Sequence, residues 1–152
     1  MPLFSDRWLS TVRILLVTIW AGSIWTIGYL AAPLLFATLS DRVLAGTIAG
    51  SLFRAGAILS LVCGTALVVV LWRDRALLAR RTGLRLVLAM LACVLLGYFG
   101  LQPLMAALRE AAGPSGVMAG STRTQFGILH GVSSFIYLLQ SGLAVALVLK
   151  TR

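Results

Sequence analysis

The chain has 152 residues, of which 60% are apolar and only 11% charged, with a formal net charge of +9 and a mean hydropathy of +1.00. A water-soluble domain of 16.2 kDa cannot hide that much apolar surface in its interior, so the composition excludes a soluble globular enzyme. The 13 basic residues flank apolar runs instead of forming a module of their own, which excludes a nucleic-acid-binding domain.

Four apolar runs, residues 12–36, 55–72, 84–105 and 126–149, each come close to the ~20 residues that cross about 30 Å of hydrocarbon at ~1.5 Å per residue. Backbone groups in lipid must be paired within their own segment, so the runs are predicted to be helices. The fold expected is an all-α integral membrane protein, a single-domain four-transmembrane-helix bundle. The first run continues apolar through "GYLAAPLLF", past any small-residue cleavage site, and reads as a retained span rather than a signal peptide.

Between the first two spans, "SDRVLAGTIAGSLFR" has apolar residues at helical spacing behind a serine–aspartate start. It predicts a capped interfacial helix over residues 41–53 that runs into the second span. Small residues recur every four positions: Gly46 and Gly50 ahead of the second span, Gly56, Ser60 and Gly64 within it, and Ala89, Cys93 and Gly97 in the third. Such rows let backbones approach, and they predict close packing of the second and third helices. The connection "EAAGPSGVMAGSTR", residues 110–123, has the glycine, proline and hydroxyl content of a loop.

With four spans, both termini and the connection 73–85 share one side. That side holds nine basic residues: Arg7, Arg13, Arg73, Arg75, Arg80, Arg81, Arg85, Lys150 and Arg152. The other side holds Arg42, Arg54, Arg109 and Arg123. The positive-inside rule then places both termini in the cytoplasm. Attraction of the same cations to anionic headgroups is a secondary use of the charge.

The fourth span carries the only histidine. His130, Ser133, Ser134, Tyr137 and Ser141 fall at i, i+3, i+4, i+7 and i+11, on one helical face with Gln140 at its margin. Lipid cannot satisfy that face. Counted from the span centres, His130, Tyr29 and Gln102 lie at similar depth toward the outer surface, with Arg54 just above. The expectation is an outer-leaflet polar cluster drawn from all four helices and centred on His130. The plain reading of His130 is a neutral imidazole hydrogen-bonded between helices, to Tyr29 or Gln102. The sharper one is a haem or metal ligand or a proton-handling group, which an ionisable residue inside a membrane calls for. No intramembrane carboxylate orients His130 and no second histidine shares a metal with it, so hydrolytic catalysis has no support.

Cys63 and Cys93 come out near mid-membrane, too far from His130 to share one metal when metal–ligand bonds are about 2.0–2.3 Å. The pair with Met90 is a candidate soft Cu(I) set. The plainer reading makes both thiols packing residues in a reduced interior.

The stretch "WTIGYLAAPLLF" (Trp25–Phe36), with "AGTIAGSLF" (Ala45–Phe53) and "FGILHGVSS" (Phe126–Ser134), closely resembles the DUF4149 family and its TMEM205-like relatives over nearly the whole chain. That family is similar in architecture to a wider CopD-like group of copper-resistance proteins and a haem-binding oxidase. The resemblance implies haem b or copper as candidate ligands and a bacterial inner-membrane location. The first span has no histidine, with Thr18 and Leu39 beside the motif, so bis-histidine haem ligation within one chain is impossible. A non-enzymatic protein that binds or transports a small ligand at the His130 pocket is the first expectation. A structural or assembly subunit pairing with itself or another membrane protein is the second, and a haem-dependent oxidoreductase the third. The motif also has a ligand-free reading, in which Gly22 and Gly28 admit a neighbouring helix while Trp25 and Tyr29 fill the space between helices.

Overall fold

The computed structural model describes residues 3–73, 77–113, 118 and 120–151. Four long helices form an up-and-down ring in which each packs on the next and the last returns to the first. Helix α1 covers residues 3–38, α2 Arg42–Arg73, α3 residues 77–111 and α4 Gly120–Lys150. All four are long and apolar enough to cross a membrane, and only 22–28% of each apolar window is buried. The remaining side chains, among them Ile19, Val62, Leu88 and Phe135, present an apolar exterior that suits contact with lipid. The protein is a multi-pass integral membrane bundle.

The helices outrun the predicted spans. Their membrane-crossing segments, of 31 or 32 residues, are about 47 Å long, against roughly 30 Å of hydrocarbon, so their ends project into the headgroup region or the helices tilt. Residues 42–53 are not a separate interfacial element. They are the first turns of one continuous helix, because no proline interrupts the run and Gly46, Gly50 and Gly56 are tolerated inside it. Asp41 caps that helix as its position suggested, its Oδ1 accepting from the Val43 and Leu44 N–H groups at 2.9 and 3.0 Å. Beyond α3 the chain turns at Gly113, in the left-handed region at φ +69°. Five residues of the loop read over 110–123, residues 114–117 and 119, lie outside the described residues, as do Asp74, Arg75 and Arg152.

Two internal irregularities shape the bundle. Pro33 has no N–H to offer the carbonyl of Tyr29, and its ring crowds that carbonyl. Just before it α1 widens into i→i−5 bonding over Thr26–Ala31, with the Ala32 N–H donating to Ile27 O. Pro103 acts in the same way on α3, which widens over Leu96–Leu101 with the Gln102 N–H donating to Gly97 O. Past these turns, away from the termini, the segment Ala32–Thr38 of α1 packs on α2, and the segment Gln102–Ala111 of α3 packs on α4. The half away from the termini therefore separates into two pairs of helices.

The core lies in the half that carries the termini. Trp20, Leu67, Val87 and Met90 are fully buried there, with Val17, Ile24, Ala144 and Leu147 around them. Gly64 makes the close approach that its row suggested: a Cβ there would meet Leu91 of α3 and Trp20 of α1. Gly56 faces Ile27 of α1 instead, and Gly46 and Gly97 face open space. Only part of the small-residue row is thus used in packing.

Candidate functional site

The best-defined polar contacts between helices join the α1 motif to α4. Tyr137 O–H donates to the Ile24 carbonyl at 2.6 Å, at the turn where α1 begins to widen. One turn along α4, the Ser141 hydroxyl accepts from Trp25 Nε1–H at 2.9 Å. Gly28 makes room for this clamp, since a Cβ there would collide with the Tyr137 ring. Tyr29 and Phe53 meet the same ring edge-on, at centroid distances of 6.4 and 5.3 Å. Trp25, Gly28 and Tyr29, the heart of the motif, are thus engaged with Tyr137 and Ser141.

His130 stands apart from this clamp. It is exposed, and its ring lies parallel to Phe126 at 6.1 Å. The Arg109 guanidinium sits over the same phenyl ring at 5.4 Å, so Arg109, Phe126 and His130 form a short stack at the end of α3 and α4 opposite the termini. Among the described residues no hydrogen bond joins the imidazole to Tyr29, Gln102 or Arg54. The Ser134 hydroxyl donates to the His130 carbonyl, not to its ring, at 2.8 Å. Tyr29, Arg54 and Ser134 are exposed, and Ser133 and Gln102 half-buried.

The four-helix cluster centred on His130 is therefore not assembled. Of its expected members on different helices, Tyr29 and Tyr137 meet, while the Ser134–His130 bond stays within α4. The reason is the splaying of the half away from the termini: α1 covers the polar face of α4 at Tyr137 and Ser141, then leaves it for α2 before the level of His130. Helical spacing put these residues on one face correctly. It carried no information on where a neighbouring helix stops covering that face. Phe53 and Ile24 were missed for want of any polar or periodic signal. The Phe126 partnership was legible as an i, i+4 pair.

Cys63 and Cys93 are free and buried, and Cys63 shares the core cluster with Met90. Among the described residues no three of His, Cys, Asp and Glu come together as a metal site. Burial of this kind is what a packing role for both thiols requires. Cys63→Ala and Cys93→Ala should each cost about 1 kcal/mol or less in reversible unfolding, separately and together, with no loss of bound metal.

Compared with known families, the sequence matches DUF4149, a domain of unknown function, over residues 15–114. The match takes in the motif of α1, all of α2 and α3 with both widened turns, and it spans about two-thirds of the chain. The chain belongs to the DUF4149 family. The segment matched to DUF4149 ends before α4, so His130 and Phe126 lie beyond it while Arg109 lies within it. No curated protein and no solved structure matches the sequence.

Proposed function

We propose that this DUF4149 protein is a non-enzymatic component of a bacterial inner membrane, with both termini in the cytoplasm, that binds a small ligand at the outer end of α4 through His130. One observation carries the reading: the single histidine is exposed and free of hydrogen bonds to the bundle among the described residues. A histidine serving only to join helices would be engaged with them. Here the imidazole is held by stacking alone, which leaves both ring nitrogens available.

The residues present do not make a closed haem or copper site within one chain. There is one imidazole, both thiols are in the core, and no cluster of three ligating side chains accompanies it among the described residues. One ligand per chain suits a molecule bound through a single imidazole, or a site shared by the histidines of two copies. A second reading, an assembly subunit, is favoured by Gly127 and Gly131. They bracket His130 and face open space, so another helix can come close.

An absorption spectrum with metal analysis on protein purified in mild detergent tests the first reading. A Soret band or stoichiometric copper that disappears in His130→Ala supports it. Ligand that survives His130→Ala, or a protein isolated without ligand but with a stoichiometric membrane partner, turns the assignment to the second reading. Orientation rests on the nine-to-four division of basic residues. Reporter fusions at the C-terminus and after Asp74 should be active in the cytoplasm, and a fusion after Pro114 outside it.

A further inference from the structure

At the end of the bundle opposite the termini, one cation has no counter-charge among the described residues. Arg109 stands near the close of the third membrane-crossing segment, Arg81–Ala111, and lays its guanidinium over the Phe126 ring of α4 at 5.4 Å. Its Nη1 also reaches α2, lying 3.9 Å from where a Cβ on Gly50 would be. Three helices thus meet at this group. Stacking occupies the face of a guanidinium and leaves its N–H edge open to planar, two-point recognition. Among the described residues no hydrogen bond or ion pair takes that edge. The acidic residues of this end are Asp41 and Glu110, and both are described. Asp41 is engaged in capping α2 through Oδ1. Glu110 directly follows Arg109 on the helix, where successive side chains do not face each other, and it pairs with no cation among the described residues.

We infer, on the reading of His130 as a ligand site, that the ligand there carries a phosphate group bound by the N–H edge of Arg109, with the His130 imidazole as a second donor. His130 borders the same phenyl ring, parallel to it at 6.1 Å, and is exposed. In either neutral tautomer an imidazole has one N–H to give. Oxygen count favours phosphate over carboxylate. A guanidinium fork takes both oxygens of a carboxylate in its paired bonds, whereas a phosphate monoester has three acceptor oxygens and keeps one for the imidazole. The level fits too, because Arg109 lies at the end of an apolar span, where charged headgroups meet the protein. Attraction between opposite charges also strengthens there, as the effective dielectric falls below that of water. A lipid phosphate and a free phosphate share this chemistry.

Gly50 offers a way to occupy Arg109 from inside the protein. A Cβ there would be in ordinary contact with Nη1. The carboxylate of Gly50→Asp can therefore pair with the guanidinium and compete with an external anion while the cation itself stays in place.

The chain has a single histidine, so the full chain made with isotope-labelled histidine and purified in a neutral mild detergent gives one imidazole to follow by NMR. It is titrated with dihexanoyl phosphatidic acid, with dihexanoyl glycerol, which lacks the phosphate, and with inorganic phosphate, and calorimetry gives the affinities. Saturable binding of a phosphate-bearing probe with a matching shift of the imidazole signal is expected, and neither with dihexanoyl glycerol. Arg109→Gln and Gly50→Asp should each weaken binding about tenfold or more, the loss of a charge-assisted bond, and abolish the shift. Arg42→Gln, at a cation of the same end whose Nη1 is engaged with Phe36 O, should change neither. Saturation by inorganic phosphate identifies a free anion as the ligand, and saturation by phosphatidic acid alone identifies a lipid headgroup; both support the inference. If Gly50→Asp does not fold, Arg109→Gln decides. Binding that is unsaturable, indifferent to Arg109→Gln, or weakened equally by Arg42→Gln would overturn the inference. A Soret band or stoichiometric copper that depends on His130 but is unchanged in Arg109→Gln would leave the reading of His130 standing and refute the phosphate. Phosphate binding that needs Arg109 but survives His130→Ala unchanged would support the anion site and contradict the reading of His130.

Discussion

Trp20→Ala should destabilise the bundle by about 3 kcal/mol, the lower end of the ~3–5 kcal/mol typical of aromatic deletions in cores. Trp20 is fully buried among Val17, Leu67, Val87 and Met90, and its ring also meets the space beside Gly64. In a soluble protein the loss would combine a transfer term with a cavity term. Here lipid is as apolar as the core, so the transfer term falls away and the cavity remains. The indole N–H of Trp20 has no acceptor among the described residues. Trp20→Phe should thus cost far less than Trp20→Ala, because it removes an unsatisfied donor along with some volume. Reversible unfolding in mixed micelles separates the two variants. Equal losses would show that the indole N–H is satisfied and that its lost hydrogen bond, not the cavity, sets the cost.

The second large effect is expected at Gly28. Gly28→Ala places a methyl against the Tyr137 ring and should cost about 1–3 kcal/mol through overpacking. Gly22→Ala, two turns earlier and facing open space, should be nearly neutral. Removing the ring that causes the collision should make the double variant Gly28→Ala with Tyr137→Ala less costly than the sum of the two single losses. Strict additivity would show that the α1 motif does not seat on Tyr137.

The four spans were legible in the sequence because apolar length alone decides them, and so was the Asp41 cap, a local signal with a local partner. The widened turns were not read. Pro33 and Pro103 mark the positions, but whether a helix kinks or takes up an extra residue at proline depends on the neighbours that hold it. The candidate site was legible only in part, for the same reason. The spacing of His130, Tyr137 and Ser141 fixes a shared face, while cover over that face depends on where α1 departs, which only the packed bundle settles. Trp25, Gly28 and Tyr29 stood out as a motif, yet their use in a clamp on α4 could not be seen without the Tyr137 contact.

The most direct measurement compares three positions on α4 by spin labelling. In a Cys63→Ala, Cys93→Ala background, single nitroxides are introduced through His130→Cys, Tyr137→Cys and Ala144→Cys, in nanodiscs holding one chain each. Ala144 is fully buried and Tyr137 half-buried in the clamp. The label at 130 should be mobile and open to collision with a membrane-soluble relaxing agent, and the labels at 137 and 144 progressively restrained. A label at 130 as immobile and shielded as that at 144 would mean that the His130 face is covered within the bundle, contradicting its assignment as an exposed binding surface.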